Sequence, residues 1–178
     1  MANKIIAAIN RLNEATGQFT KWIIASVVAM VTFDVFMRYV LNSPTLWGYD
    51  LSYMLGCAFY TLGLGYGQKH DVNIRVDLLY SKFSPRVKLV FDNLAMLLFF
   101  LPTYILLTQK FWGNAIHSLV SGEKATTSTW YPYLAPVKFC IAIGFSLFVL
   151  QLASDTLQGF IRMKNEFKNT PKEGRGPN

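Results

Sequence analysis

The sequence predicts an all-α integral membrane protein, with four transmembrane helices, short interfacial amphipathic helices and both termini in the cytoplasm. Three observations predict it. Of 178 residues, 52% are hydrophobic and only 15% charged, against about 25% charged in ordinary soluble domains. Four apolar runs reach the roughly 20 residues that a helix needs to cross the hydrocarbon. The basic residues gather on one side of the resulting topology.

The runs cover about 22–41, 47–66, 87–112 and 134–157. None shows the broad polar face of a soluble amphipathic helix. Residues 1–160 therefore form a single four-helix membrane domain, and the polar 161–178 form a cytoplasmic tail expected to be disordered. With the N-terminus inside, Lys4, Arg11 and Lys21 precede the first span. Lys69, Arg75, Lys82, Arg86 and Lys88 flank the second connection, and Arg162, Lys164, Lys168, Lys172 and Arg175 follow the last span. Those are 13 of the 17 basic residues, and the positive-inside rule places both ends in the cytoplasm.

The formal net charge is +7. Its distribution assigns it to the inner membrane surface, and no nucleic-acid partner is expected. No cleavable signal peptide is expected: the first apolar run starts at residue 22 and is too long for an h-region. Cys57 and Cys140 fall inside apolar runs and read as small packing residues rather than a disulfide or metal site.

Two interfacial helices complete the inner surface. In 4–16, Ile5, Ile9 and Leu12 share one face while Lys4, Asn10, Arg11, Asn13 and Glu14 take the other. That segment is expected to lie on the inner leaflet, with Gly17 bending the chain into the first span. In 75–83, Val76, Leu79, Tyr80 and Phe83 repeat the pattern. Ser84-Pro85 then opens the third span as N-cap and first helical residue. Asp92 follows Lys88 by one helical turn and can pair with it. Pro102 predicts a kink in that span. An outer loop is expected over 113–133, with Trp112, Trp130 and Tyr131 at the outer interface, Trp47 beside them and Trp22 at the inner one.

Two groups of residues are candidates for function. The first is a charged hairpin at the outer end of the first two spans, Asp34, Arg38 and Asp50. Charge at mid-bilayer costs roughly 2.5–3.5 kcal/mol per group on insertion scales. Arg38 before the turn and Asp50 after it reach similar depth, and Asp34 lies one turn below Arg38. The planar guanidinium can engage two carboxylates. The cluster reads as a structural staple or as an ion- or substrate-coupling site. Coupling sites in transporters are built from broken helices at the midplane, whereas these charges lie shallow. The second group is a stripe on the second span, Ser52, Gly56, Gly63 and Gly67. Small residues in lipid let helix backbones approach closely, so the stripe reads as a packing or partner interface.

Little else carries chemistry. His70 and His117 fall on opposite sides of the membrane, about 30 Å apart, and cannot ligate one haem iron. Neither a nucleophilic triad nor a phosphate loop is present, so the chain is read as non-enzymatic and without cofactors, a bound phospholipid excepted. No internal repeat of the kind that builds a self-contained transporter is seen.

At this point the chain resembles the small membrane subunit (Q subunit, DctQ-like) of TRAP transporters, the tripartite ATP-independent periplasmic uptake systems. The residues that carry the resemblance are Phe36-Met-Arg-Tyr-Val-Leu-Asn-Ser-Pro44, Trp47 with an acid at 50, His70, Ile74-Arg-Val-Asp77 and Ser84-Pro85-Arg86. Trp130-Tyr-Pro-Tyr133, Pro136, Gly144-Phe-Ser-Leu147 and Leu150-Gln151 continue it. One departure is Asp50, where the family more often has glutamate. The resemblance implies a bacterial inner-membrane, multi-pass subunit in a secondary active, sodium-coupled uptake system for organic acids such as dicarboxylates or sialic acid. Its implied partners are a large multi-span membrane subunit, which holds the transport sites, and a periplasmic substrate-binding protein. Its implied role is that of a scaffold. Two other classes stay open from the residues: a membrane anchor for a redox enzyme and a small homo-oligomeric channel.

Overall fold

A computed structural model describes residues 2–70, 85–126 and 130–168. Among them the chain is helical, with one isolated β-bridge, Lys124 to Tyr133. Helix α1 spans Ala2–Tyr39 and α2 spans Gly48–Lys69. Helix α3 covers Pro85–Ala95, a π-helical turn follows at Met96–Phe100, and α4 runs over Leu101–Ser121. Helix α5 covers Ala135–Lys168. The helices form a row in the order α1, α2, α5, α4, with α3 and the π turn also against α5. The core follows α5, where Ala135, Val137, Ala142, Leu147, Phe148 and Leu152 are buried.

Among the described residues three helices are long and apolar enough to cross a membrane: Lys4–Tyr39, Val90–Ser121 and Ala135–Lys164. The 22-residue α2, the expected fourth span, is not among them, because its tyrosines and glycines dilute its hydropathy.

The structure corrects the reading of the N-terminal segment. Residues 4–16 do not form a separate interfacial helix, and Gly17 does not bend the chain; α1 is continuous. The assignment of faces is also reversed. Ile5 and Leu12 are 57% and 48% exposed, whereas Asn13 is fully buried. Asn10, Asn13 and Glu14 turn to neighbouring helices, Ile5 and Leu12 turn outward, and Lys4 and Arg11 stay exposed. Gly17 serves close packing: a Cβ there would stand 2.8 Å from the Cε2 of Tyr66. The second expected interfacial helix, 75–83, lies outside the described residues.

Pro102 does disturb its helix, and the form of the disturbance is the π turn just before it. Proline lacks an N–H and its ring crowds the carbonyl one turn back. A wider turn at 96–100 relieves that crowding without ending the helix. Two boundaries also move. Helix α4 continues to Ser121, so the outer loop is shorter than 113–133. Helix α5 continues to Lys168, so 161–168 are helical rather than part of a disordered tail.

Gly122, at φ 60°, closes α4 in the left-handed conformation that glycine adopts without a Cβ penalty. The loop then folds back on itself. Ala125 N–H donates to Pro132 O at 2.9 Å and Leu134 N–H to Glu123 O at 3.0 Å.

Candidate functional site: polar clasps and an outward glycine face

Two polar clasps and a bare helix face distinguish this molecule. The outer clasp closes the α1–α2 hairpin. Asp34 sits at its centre. Its Oδ2 accepts a 2.9 Å hydrogen bond from Arg38 Nη2, one turn along the same helix. Its Oδ1 accepts from the Thr45 backbone N–H at 3.3 Å and also from the Thr45 hydroxyl. Gly48 is bare because a Cβ there would lie 2.8 Å from that same Oδ1. Trp47 stacks on Phe33 at 6.3 Å between ring centroids. The turn includes Asn42 at φ 50°, a left-handed position that asparagine tolerates.

The structure joins Arg38 to Asp34. It places Asp50, 5% exposed, on the α2 face shared with Thr61 and Gln68, all three buried. Gly48 and Tyr66, which meet α1, mark a different side of the helix. The hairpin is thus tied chiefly by Asp34 reaching the turn.

Sequence reasoning missed the inner clasp. Asn13 Nδ2 donates to Gln151 Oε1 at 2.9 Å. Gln151 Nε2 donates to Asn10 Oδ1 at 3.1 Å and to Asp155 Oδ1 at 2.9 Å. Gln68 Nε2 reaches the other Asp155 oxygen at 3.1 Å. Glu14 takes the Lys69 ammonium in an ion pair and stands 3.3 Å from His70 Nε2. Helices α1, α2 and α5 are thereby bonded at one level. Asn13 is 0% and Gln151 1% exposed, so the bond between them forms out of water, where an unmade one costs most. The available signal was polarity inside apolar runs: a lone glutamine at 151 and asparagines at 10 and 13.

Close packing between helices uses Gly17, Gly65, Gly144 and Gly159, the last against Asn93 of α3. A Cβ on Gly144 of α5 would stand 2.5 Å from the Thr61 carbonyl carbon and 2.9 Å from Leu62 N. Gly65 faces Asn13 and the Leu147 carbonyl, and Gly17 faces Tyr66. The stripe picked out from sequence does something else. A Cβ on Gly56, Gly63 or Gly67 would meet nothing within 4 Å among the described residues. Ser52, in line with them, bonds back to its own helix through Gly48 O at 2.6 Å. Beside this strip stand Tyr49, Tyr53 and Tyr60, 72%, 66% and 68% exposed. The glycine face is open, and it lies opposite the buried face of α2.

The aromatic residues expected in the interface belt are spread along the chain. Trp22 is 75% exposed. Trp112 donates its Nε1–H to Ser146 Oγ at 3.0 Å. Trp130 and Tyr131 are exposed on the outer loop. Lys124 stands 5.0 Å over the Tyr133 ring across the β-bridge. Among the described residues no group of three or more His, Cys, Asp or Glu side chains could hold a metal, and both cysteines are free.

The outer loop is latched to α5 by Lys138 Nζ donating to Glu123 Oε2 at 2.5 Å. That bond is the main cause holding the Glu123 carboxyl below the usual glutamate range, against a smaller opposing effect of burial. A depressed carboxylate pKa contributes stability above the unfolded pKa and loses it as pH falls through the folded one. The latch is therefore expected to open only on acidification below the ordinary glutamate range. In Lys138→Met the opening moves up toward that range, as read by a pH titration of Trp130 fluorescence.

These features define a class: a helical membrane component, internally stapled at both ends and open along one helix face. The family model for tripartite ATP-independent periplasmic transporters, DctQ component, matches residues 27–162, and the chain belongs to this family. It is the small component of a TRAP transporter. A search among characterised proteins returned no match. The reading as an anchor for a redox enzyme finds no support.

Proposed function

We propose that this chain is the non-catalytic scaffold of its transporter, holding the large membrane subunit upright and placed against the binding protein. The observation that carries the reading is the open face of α2: Gly56, Gly63 and Gly67 without a neighbour among the described residues, next to three exposed tyrosines. In lipid there is no hydrophobic force to bring helices together, and close approach of backbones over small residues supplies association. A face kept small and left open by the described residues suits a helix of the large subunit. Tyrosine hydroxyls beside it would find acceptors on that helix, which lipid tails lack.

Membership of the family supports the rest of the reading. The chain is multi-pass in the bacterial inner membrane, with α2 as its fourth crossing and both termini cytoplasmic. The transporter is a sodium symporter for organic acids, working by secondary active transport, and the periplasmic substrate-binding protein docks transiently at the outer face. There the exposed Trp130 and Tyr131 offer contact area on a loop held by its own backbone bonds. The subunit carries no cofactor, and bilayer phospholipid is its non-protein ligand. The test is affinity purification of the chain from membranes that also express its genomic neighbours. Recovery of a much larger multi-span protein is the expected result; recovery of the chain alone overturns the scaffold.

A further inference from the structure

Hydrogen-bond donors without acceptors collect at the inner end of the α1–α5 contact. The two helices are bonded there through Gln151, which serves Asn10 and Asn13. Toward the chain termini a cavity of about 310 Å³ opens between them, walled by Ile6, Ala7 and Asn10 on one side and by Gln158, Ile161 and Arg162 on the other. Ile6 and Asn10 are one helical turn apart, as are Gln158 and Arg162, so two rows face each other across it. Asn10 engages Gln151 through its Oδ1, which leaves its amide hydrogens for the cavity. Gln158 Nε2 gives one hydrogen to Ser154 Oγ at 3.4 Å and keeps a second. Arg162 adds the N–H donors of its planar fork. It is exposed and has no hydrogen bond or ion pair to the described residues.

The surroundings favour an anion with an apolar body. Lys164 stands exposed one turn beyond Ile161, on the same side of α5. Lys4 and Arg11 line a shallow groove across Ala7. None of these three bonds to a described residue. The membrane-long stretches Lys4–Tyr39 and Ala135–Lys164 end among these cations, where lysine and arginine meet lipid headgroups. Asp155 lines the adjoining cavity, which shares Asn10, Gln158 and Arg162, and there Gln151 and Gln68 donate to its two oxygens. From Ile161 an exposed apolar strip climbs α5 through Leu157, Leu150 and Ile143. The last three recur at close to two helical turns, so the strip stays on one side of the helix.

We propose that this cleft binds one anionic phospholipid of the inner leaflet, its phosphate on Arg162, Asn10 and Gln158 and an acyl chain along Leu157, Leu150 and Ile143. A phosphate carries the acceptors that these donors lack, and a guanidinium meets two of its oxygens at once. The neighbouring Lys164, with Lys4 and Arg11 across Ala7, favours a headgroup of net negative charge over a zwitterionic one. The chain bed has the right depth. From Ile161 to Leu150 the helix rises roughly 16 Å at about 1.5 Å per residue, the depth of one leaflet in a hydrocarbon core about 30 Å thick. A lipid seated there joins α1 to α5 beyond the Gln151 clasp.

The proposal rests on phospholipid as the chain's non-protein ligand and on cytoplasmic termini, both proposed above, and the test keeps these apart. The full chain, purified with its transporter partners and stripped of lipid in detergent, is titrated with phosphatidylglycerol and separately with phosphatidylcholine. Bound lipid is counted by native mass spectrometry. Phosphatidylglycerol is expected to half-saturate its first site at a concentration at least tenfold lower than phosphatidylcholine. In Arg162→Gln that preference should disappear. Lys110→Gln, which removes the same charge from an exposed position on α4, should keep it. Both variants should melt with wild type in lipid-free detergent, since neither side chain bonds to a described residue. Equal binding of the two lipids by wild type, or equal loss in the two variants, overturns the site. Displacement of the lipid by millimolar inorganic phosphate would mark a small-anion site and overturn the lipid assignment. If wild type takes up no phospholipid of either kind, the broader ligand reading falls with it. Sidedness is read separately. With Cys57 and Cys140 replaced by alanine, a membrane-impermeant maleimide should label Ser43→Cys, in the outer turn, in intact cells. Failure there overturns the inner-leaflet placement while the binding result stands.

Discussion

Gly144→Leu is expected to separate α2 from α5. The new side chain would meet backbone, the Thr61 carbonyl carbon at 2.5 Å and Leu62 N at 2.9 Å from the first added carbon alone. Backbone within a helix cannot step aside as a rotamer can. The helices must part, losing contact along the most buried element of the fold. Overpacking a well-fitted core costs typically 1–3 kcal/mol and more where nothing can yield, so about 3 kcal/mol or more is expected. At about 2–4 °C per kcal/mol for a chain of this size, thermal melting in detergent should fall by roughly 6–12 °C. A melting point within about 2 °C of wild type would show that the α2–α5 contact is not the axis of the fold.

Gln151→Leu is the second large effect. Its carboxamide serves three partners at once, accepting from Asn13 and donating to Asn10 and Asp155. Leucine fills much of the volume, takes the Gln151 partner from Asn13 where water does not reach, and removes one bond each from half-buried Asn10 and Asp155. Each buried polar group left without its bond costs about 1–3 kcal/mol, giving a loss of roughly 3 kcal/mol or more. The double variant Asn13→Leu with Gln151→Leu removes both ends of the central bond. Its loss is expected to be smaller than the sum of the two single losses, the signature of coupled neighbours. Strict additivity of the melting shifts would mean that the two side chains do not depend on each other.

The sequence carried the class of the fold well and the inner wiring poorly, for identifiable reasons. Apolar length and the placement of lysine and arginine are properties of whole segments, so a membrane helical domain was legible without any contact. Pro102 was legible as a disturbance because proline acts on its own helix, although the π turn that absorbs it depends on neighbours. The glycines show the limit. Gly56, Gly63 and Gly67 form the more regular stripe, yet close packing between the described helices uses Gly17, Gly65, Gly144 and Gly159. In a helix apolar all round, spacing names a face without saying what lies against it. Residues 4–16 show the reverse error. A polar face was read as facing water, while Asn10 and Asn13 are held by Gln151 from a helix 138 residues away in sequence. The outer hairpin was legible as a charged cluster because Asp34 and Arg38 are one turn apart. The role of Thr45 was not, since its bonds to Asp34 exist only once the turn has closed.

The central claim is that the bare face of α2 belongs to another protein. The variant that tests it replaces Gly56, Gly63 and Gly67 together by leucine, positions where an added Cβ meets nothing within 4 Å among the described residues. Its melting in detergent should match wild type, in contrast to Gly144→Leu. Copurification of the large multi-span subunit from co-expressing membranes should fall at least tenfold, about 1.4 kcal/mol of association. Retention of the large subunit at the wild-type level, with the triple variant folded and present in the membrane, would contradict the account.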